Sequence, residues 1–584
     1  ARNMVTSADL SKTASGIARA SLTSDNTRVF FRSGENRIGA RELSLSASLG
    51  KRIRRDNARR RHFLDSLQLV YPDIPRDSLL RHERLLHPRA VPDFMQDKAF
   101  ASKDIRLNLN EKAVKFLQEW SPSATVTASG GFYATPRLPL RNRLGALDVK
   151  YDDDEFDIRS LKVTSGTSDA SLSGKVTGLR RTLQGRGFLR GDLAVDCGYL
   201  NLNELLSALE LGRKADTSYV AGSESDESFV TDTLAGAMYV PGEMKVFVVP
   251  ANLEAELVLH AGKVDYIDYT ATPADLRLRA ARRCHQLTDA SLVTNMGKIG
   301  LDAFYASRSR SDIQLGADLK LSEVSAYDII HMFPDVDRMM PALKSFNGNL
   351  NCRITATTQL DTMMNVLVPT LDGTIHIGGE DLFISDAGKL RAVTTLLFFK
   401  DKNIGHIDNM DVDAVVSDSQ AEVYPFIIGV DKYRLALMGV QGFDGSMRYN
   451  ISVVRAPMLP LKFGVNLFGN VKDFNYSIGR SKYPGSNVPV FTQEIDDLRI
   501  NIHDAIVGVY QQGVEGALEA TRRSYAALEA RKKELGYTSD LPGSLLSNQE
   551  YQQLEVAAFE AEMDEYNAEV DAEIDAALEE SLKK

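Results

Sequence analysis

The sequence predicts a mainly β protein in which a long, curved antiparallel β-sheet forms a hydrophobic groove. Three observations support this prediction: apolar and polar residues alternate over strand lengths, turn-forming residues separate these runs, and helical spacing replaces the alternation only in short stretches. Short amphipathic helices are therefore expected to interrupt the sheet. Beyond Pro489 the alternation stops, and a C-terminal α-helical hairpin or coiled coil is expected there.

The alternation with a period of two dominates residues 120–480. Successive side chains of a strand point to opposite faces of its sheet, so each run has one apolar face and one wet face. Gly, Asn, Asp and Ser between the runs are typical of the turns in an antiparallel meander. The clearest runs are residues 251–259, 298–305, 313–321, 447–453 and 474–478.

The length of 584 residues is too great for one ordinary hydrophobic core, so several domains or an elongated repeat are expected. Residues 1–100 are predicted to hold N-terminal strands and a basic helical segment, 101–487 a β-groove domain, and 488–584 a helical tail. The basic segment is densest at 51–55 and 59–61. A solvated charged face is the expected reading of this segment, and contact with phosphate or lipid headgroups is the alternative.

A five-residue motif recurs where the alternation is interrupted. Leu107-Asn-Leu-Asn-Glu111 recurs as Leu200-Asn-Leu-Asn-Glu204, and looser copies begin at Leu319 and Leu382. Asn or Ser is expected to cap a following helix, with an acid near the positive helix end. The irregular spacing argues against a solenoid of constant period. The helical faces are Ala113, Phe116, Leu117 and Trp120; Leu202, Leu205, Leu206 and Leu209; Ala326, Ile329, Ile330 and Phe333; and Leu390, Val393 and Leu397.

Two long helices are predicted in the tail. The first runs to about Leu535, and residues 536–543 contain Gly and Pro that break the pattern before a second helix extends to the end of the chain. Joined by this short turn, they predict a hairpin or a coiled coil with a protein partner. The apolar stripes are Ile495, Leu498, Ile502, Ala505 and Val509 in the first helix, and Phe559, Met563, Tyr566, Val570 and Ile574 in the second.

No constellation of residues in the sequence indicates catalysis, so a protein that is not an enzyme and has no cofactor or bound metal is predicted. The acidic run 152–155 lacks the spacing of a calcium-binding loop and is predicted to be a solvated turn. Cys197, Cys284 and Cys352 are too scattered for a zinc site and are predicted to be buried thiols. The net charge of −10 argues against a nucleic-acid partner.

The strands with one apolar face must hide that face from water. A second sheet would do so in an ordinary β-sandwich, which stays open as an alternative. The short helical stripes are too few to cover so many strands, whereas a groove would suit acyl chains at about 0.8 kcal/mol per buried CH₂. The candidate lipid-contacting residues are Leu253, Leu257, Leu259, Leu301, Ile313, Leu315, Leu319, Leu350, Ile354, Ile375, Ile377 and Ile451.

No stretch of the sequence approaches the roughly 20 apolar residues that a membrane-spanning helix needs, and residues 393–399 are far too few. The chain also starts without Met and without a signal segment. Any membrane anchor is therefore expected to lie outside this chain.

Four segments, taken in order, resemble the C-terminal half of the AsmA-like family of bacterial envelope proteins, which is related to the TamB-type bridge proteins. They are residues 138–178 with the Ser- and Gly-rich run 165–176, residues 191–209 around the motif at 200–206, residues 319–381 with 345–350 and 369–374, and residues 422–478 with the aromatic-rich stretch 463–478. The motifs are diffuse patterns of Gly, Leu and Asn that together cover most of residues 100–485.

The resemblance implies a periplasmic β-groove that carries phospholipid between the inner and outer membranes of a diderm bacterium. It also implies an inner-membrane anchor, placed here in a missing N-terminal segment. The chain departs from the family in lacking the anchor and in ending in an acidic helical tail. The expected function is non-enzymatic phospholipid binding and transfer. The alternative is a scaffold for outer-membrane biogenesis that binds a protein partner through residues 488–584.

Overall fold

The computed structural model describes fourteen segments of the chain, and every structural statement below concerns these residues. They are residues 2–12, 18–51, 120–152, 154–179, 182, 187–217, 249–308, 311–332, 346–384, 406–430, 433–455, 463–470, 473–483 and 487–537. Several predictions lie outside them: the basic segment beyond residue 51, the motif copy at 107–111 with its helix, the helix predicted from Leu390, and the second tail helix.

The described residues are mainly β, and their strands pair mostly antiparallel, as the alternation predicts. They divide into two compact units, of which the first contains residues 1–287 and 306–311 and the second contains 288–305 and 312–584. The division falls within the predicted groove domain, at strands β12 (Cys284–Thr294) and β13 (Gly297–Ser307). The beginning of the predicted tail belongs to the second unit.

The first unit is a sheet in which each strand pairs antiparallel with the next, with two exceptions. Strands β4 and β5 follow each other in the position between β3 and β6, and each pairs with both of these strands. Strand β9 pairs parallel with β10. Helix α1 (Leu202–Thr217) follows β9. The strands are β1 (Arg2–Lys12), β2 (Ala18–Ser33), β3 (Asn36–Lys51), β4 (Trp120–Ala128), β5 (Gly130–Thr135), β6 (Leu138–Asp152), β7 (Glu155–Ser165), β8 (Ser168–Thr177), β9 (Leu189–Asn201), β10 (Leu253–Tyr266) and β11 (Tyr269–Ala281).

The second unit is an antiparallel meander with two helices, α2 (Ala326–Met332) and α3 (Thr492–Glu534), and a 3₁₀ turn at Val368–Thr370. Strand β14 pairs with β16, and from β16 each strand pairs with its successor. The strands are β14 (Ile313–Ser325), β15 (Phe346–Asn347), β16 (Asn349–Leu360), β17 (Asp372–Ile384), β18 (His406–Ser417), β19 (Gln420–Val430), β20 (Tyr433–Gly442), β21 (Ser446–Arg455), β22 (Phe463–Asn470) and β23 (Asp473–Arg480).

One face of the second unit's meander forms a buried hydrophobic cluster, against which further partly buried side chains pack. Register partners such as Ile354 and Ile375 place the alternating apolar residues of β14 to β22 on the same side. From α2, the buried side chains of Ala326 and Ile329 pack into this cluster. Burial of these branched side chains, at about 25 cal/mol per Å², stabilises the second unit.

The motif at Leu200 caps α1 as predicted and also binds two turns. The Asn201 side chain accepts a hydrogen bond from the Glu204 amide at 3.1 Å, as an N-cap does. The buried Glu204 carboxylate accepts from the amide and hydroxyl of Thr167 in the β7–β8 turn, and Asn203 exchanges two hydrogen bonds with the backbone of Ile267 in the β10–β11 turn. The motif therefore joins α1 to two hairpins of the first unit.

The motif copy at Leu319 does not cap its helix, which corrects the prediction. A register shift between Leu321 and Val324 keeps the chain in β14, and the cap is Ser325, beyond the motif. The Ser325 hydroxyl bonds the amide and the carboxylate of Asp328, at 3.1 and 2.6 Å. The motif alone therefore predicted that a helix follows, and the bulge decided where it begins.

Two smaller predictions are confirmed. Asp152 pairs with Glu155 at the ends of β6 and β7, as a turn between these two strands requires, and the ring centroids of the next pair, Tyr151 and Phe156, lie 5.6 Å apart. The three cysteines are free and buried.

Residues 492–534, labelled α3, form two helices that fold back on each other as a helical hairpin. This corrects the prediction of one helix up to residue 535. Gly513 has φ 71° and ψ 166°, values outside the helical region. The Asn501 side chain donates to the Ser524 hydroxyl at 2.6 Å, and Arg531 lies 3.4 Å from Glu494. In one continuous helix, residues 23 apart would be separated by about 35 Å. The chain therefore reverses at Gly513, and we call residues 492–512 and 514–534 the first and second arms.

Replacement of Gly513 by Ala is expected to destabilise the second unit by about 1–3 kcal/mol, because the backbone there is accessible essentially only to glycine. Open space surrounds the position, so the cost is conformational and not steric. Gly508→Ala is the matched control in the first arm, where an added Cβ meets Gln512 at an ordinary 3.7 Å. It should stabilise by about 0.5–1 kcal/mol. Equal urea-denaturation midpoints for the two variants would contradict the assigned turn.

Candidate functional site

The first unit presents three adjacent rows of apolar side chains on one face of its sheet. Register partners in neighbouring strands lie directly opposite each other and on the same side, so the rows follow from the strand pairing. We call these three rows the apolar ladder. The central row is Leu45, Val126, Val149, Ile158, Gly174, Leu193, Leu257 and Leu278.

The rows on either side consist of aliphatic and aromatic residues with glycine. One consists of Ala128, Leu147, Leu161, Leu172, Val195, Leu259 and Leu276, and the other of Ala47, Ala124, Tyr151, Phe156, Val176, Gly191, Ala255 and Ala280. The central row crosses eight strands, and seven gaps of about 4.8 Å give it a length of about 34 Å.

The opposite face of these strands is charged from β6 to β11 and carries Ser and Thr on β3 and β4. Residues that lie between two rows of the ladder along each strand point to this opposite face. Strand pairing aligns them in a row whose charges mostly alternate in sign. Ion pairs such as Arg279–Glu256 at 3.1 Å and Arg190–Glu254 at 2.6 Å lie on this face. The charged row is Lys150, Asp157, Lys175, Asp192, Glu256 and Arg279. The sheet therefore has one face suited to water and one that is not.

Most side chains of the ladder are half-buried, although Val149, Ala128 and Ala280 are buried. Leu193, Leu257 and Leu278 all keep part of their surface accessible, whereas Ile375, Ile377 and other members of the second unit's cluster are buried. Half-buried branched side chains over eight strands leave apolar surface that an additional apolar molecule would cover favourably.

The structure places the predicted lipid-contacting residues in two different environments. In the first unit, Leu253, Leu257 and Leu259 lie on one face of β10 and are half-buried, with Leu253 opposite Leu189. In the second unit, Leu301 and Leu315 are half-buried, and Ile313 is buried. The remaining residues belong to the second unit's cluster or pack against it: Leu319, Leu350, Ile354, Ile375, Ile377 and Ile451. Packing in the hydrophobic core of the second unit is sufficient to explain why this last group is apolar.

Helix α3 covers polar side chains of the second unit's sheet on the side away from the cluster. Asp318 of β14 has a fully buried carboxylate that accepts from Arg353 at 3.0 and 2.8 Å, from Thr355 at 2.9 Å, and lies 2.7 Å from His503 on the first arm. Burial opposes ionisation of Asp318, but the hydrogen bonds from His503 and Arg353 outweigh burial and hold its pKa well below the usual range.

A second ion-pair group lies beside the first. Asp413 of β18 accepts from Arg499 of the first arm at 2.5 Å and lies 3.0 Å from Nδ1 of His376, which is 3.5 Å from Asp411. Burial opposes ionisation of Asp413, yet the hydrogen bond from His376 and the charge of Arg499 lower its pKa. The hydrogen bond to Asp413 raises the pKa of His376 against the effect of burial. Both groups attach the first arm to the sheet.

Among the described residues, two triplets of His and Asp residues lie close enough together to ligate one metal ion, and each overlaps one of these groups. These triplets are Asp302, Asp318 and His503, and His376, Asp411 and Asp413. Arg353, Thr355 and Arg499 already bond the central carboxylates. Charge pairing between helix and sheet therefore explains the groups, and we assign no metal to them.

The His376–Asp413 pair predicts a pH dependence. The pKa of His376 is raised in the folded state, so its contribution to stability is complete below the unfolded-state pKa of about 6.5 and is lost as pH rises through the folded-state pKa. Urea denaturation of the full chain should show this loss above pH 6.5, and His376→Gln should flatten it. Asp411→Asn, at a mostly exposed carboxylate, should flatten it less. An unchanged profile in His376→Gln would exclude this pair as the origin.

Comparison with known proteins finds no matching family model, no matching curated protein and no matching solved structure. Among the described helices, none is both long enough and apolar enough to cross a membrane.

Sequence reasoning missed the buried charges beneath α3. Asp318 and Asp413 occupy wet-face positions in alternating runs, and nothing local distinguishes them from solvated acids. Arg499 and His503, four residues apart on the first arm, were the available signal, because two basic side chains on one helical face fit two acids on a sheet.

Proposed function

We propose that the chain binds acyl-chain lipid, most simply phospholipid, along the apolar ladder and transfers it within the bacterial envelope without catalysing a reaction. The observation that supports this most directly is the half-buried ladder on a sheet whose other face is charged. Its length of about 34 Å matches the roughly 30 Å hydrocarbon core of a bilayer, which two acyl chains span end to end. Each CH₂ covered contributes about 0.8 kcal/mol.

The resemblance to the AsmA-like family supports the choice of phospholipid and of the periplasm, with a membrane anchor outside this chain. The ladder itself supports only an apolar ligand of considerable length. The geometry therefore supports a long apolar ligand, and the resemblance supports phospholipid and the periplasm.

Mass spectrometry of the purified full chain tests the proposal. We expect phospholipid in organic extracts of the protein, and uptake of a fluorescent phospholipid by protein stripped of lipid. A preparation that contains no lipid and takes none up would exclude the ladder as a lipid site.

The alternative function, a scaffold acting through the helical tail, is supported less by the fold. The stripe Ile495, Leu498, Ile502, Ala505 and Val509 is buried within the second unit, so it does not present itself to a partner. A scaffold role would therefore rest on other parts of the tail, such as the chain beyond residue 537. Deletion of residues 538–584 separates the two functions, because α3 and the ladder are retained. We expect lipid uptake to persist in this variant.

A further inference from the structure

The end of the β2–β3 hairpin and the adjoining strand β5 expose five large apolar side chains together. Their exposed fractions range from 42% for Tyr133 to 59% for Phe31. We call this part of the first unit the aromatic tip. Its apolar residues are Phe30, Phe31, Ile38, Phe132 and Tyr133.

The tip is apolar on both faces of the sheet. Phe31, Ile38 and Tyr133 are register partners and form one row across β2, β3 and β5. The next row, on the opposite face, places Phe30 and Phe132 on either side of Gly39, with ring centroids 6.2 Å apart. A Cβ at Gly39 would collide with the Phe132 ring, so glycine allows these two rings to approach.

Arginines surround the tip. Arg28 pairs with Arg41 on one side of the Phe30–Gly39 pair, and Arg32 pairs with Arg37 on the other side. Each of the four arginines is two residues from Phe30 or Gly39 along its strand, so all four lie on the same face as Phe30. Residues 28–42 and 130–144 contain seven arginines (28, 32, 37, 41, 137, 141 and 143) and two acids (35 and 42), a net charge of 7 − 2 = +5. The whole chain has a net charge of −10.

We propose that the aromatic tip docks on the surface of an anionic lipid bilayer. Aromatic side chains settle at the headgroup level of a membrane, and arginines bind lipid phosphates with paired N–H donors. A bilayer surrounds an inserted tip and so covers both of its apolar faces, whereas a protein surface would cover one. The positive charge on an acidic chain further selects a negative surface.

The docking surface is separate from the apolar ladder, and the proposal does not depend on lipid transfer. It adds a place where the first unit would touch a membrane. Leu257→Asp, which alters the ladder, is expected to leave docking unchanged.

Flotation of the full chain with vesicles tests the proposal. Wild type should float with vesicles of phosphatidylcholine mixed with phosphatidylglycerol, more weakly with phosphatidylcholine alone, and less at high salt. Arg28→Ser with Arg41→Ser should weaken binding to the anionic vesicles by about 30-fold. Phe30→Ser with Phe31→Ser should weaken binding to both kinds of vesicle. Val258→Ser with Tyr476→Ser, at side chains 41% and 49% exposed elsewhere, is the matched control and should bind as wild type does.

Three outcomes would overturn the proposal: no flotation of wild type, equal flotation of the Phe30/Phe31 variant and the control, or loss of flotation in the control. Circular dichroism verifies that each variant is folded. Binding to a single-stranded oligonucleotide that is lost in the same tip variants, without vesicle binding, would reassign the surface to nucleic acid. If vesicle docking fails while lipid uptake persists, the tip assignment alone is wrong.

Discussion

Replacement of Leu257 by Asp is expected to abolish lipid uptake by the full chain. Leu257 lies in the central row of the ladder, between Leu193 and Leu278. A carboxylate there would lose its hydration against an acyl chain at a cost of several kcal/mol, enough to exclude the chain from the site. Uptake of a fluorescent phospholipid and mass spectrometry of bound lipid measure the effect.

The matched control is Val258→Asp, one residue further on the same strand. Val258 is 41% exposed on the charged face, so a carboxylate there stays in water and uptake should be retained. Leu257→Trp provides a second variant that keeps the position apolar while occupying the space of the ligand. We expect it to fold and to reduce uptake. Normal uptake by folded Leu257→Asp and Leu257→Trp would show that lipid does not bind at this row.

Replacement of Asp318 by Ala is expected to lower the free energy of unfolding of the second unit by about 3–5 kcal/mol. Removal of one partner from a buried ion pair leaves the other charge uncompensated. Here the guanidinium of Arg353 and the imidazole of His503 would both lose their carboxylate. Urea denaturation measures the loss, and hydrogen exchange of α3 should rise because His503 attaches the first arm to the sheet.

Two further variants distinguish this mechanism from a general effect of mutation. Asp318→Ala combined with Arg353→Met should be more stable than Asp318→Ala alone, because no half-buried guanidinium is left without its carboxylate. Asp408→Ala removes an acid that is 70% exposed and paired with His406, and should cost less than about 1 kcal/mol. A loss in Asp318→Ala no greater than in Asp408→Ala would contradict the pairing.

The same carboxylate predicts acid sensitivity. Because the folded-state pKa of Asp318 is lowered, its contribution is present above the unfolded-state pKa of about 3.9 and is lost as pH falls further. In Asp318→Ala, part of the loss of stability below pH 4 should therefore be absent.

Much of the fold followed from local pattern. Each predicted run of alternation became a strand, from β10 through β14 to β23, because the face of a side chain depends only on its parity along the strand. Asn201 also capped its helix as the motif predicted. Gly513 was not recognised as a turn, because the helical stripe before it and the helix formers after it read as one helix when no tertiary contact is known.

The sequence by itself determined that the strands have one apolar face and where most of them lie. The tertiary structure decided what happens to that face. Similar alternation in β10 and β17 leaves Leu257 half-buried in the first unit and buries Ile375 in the second. Burial depends on which segments of the chain pack over the sheet, and the alternation along a single strand does not predict that. For the same reason Asp318, a wet-face residue by pattern, became a buried ion pair only when the first arm of α3 folded over it.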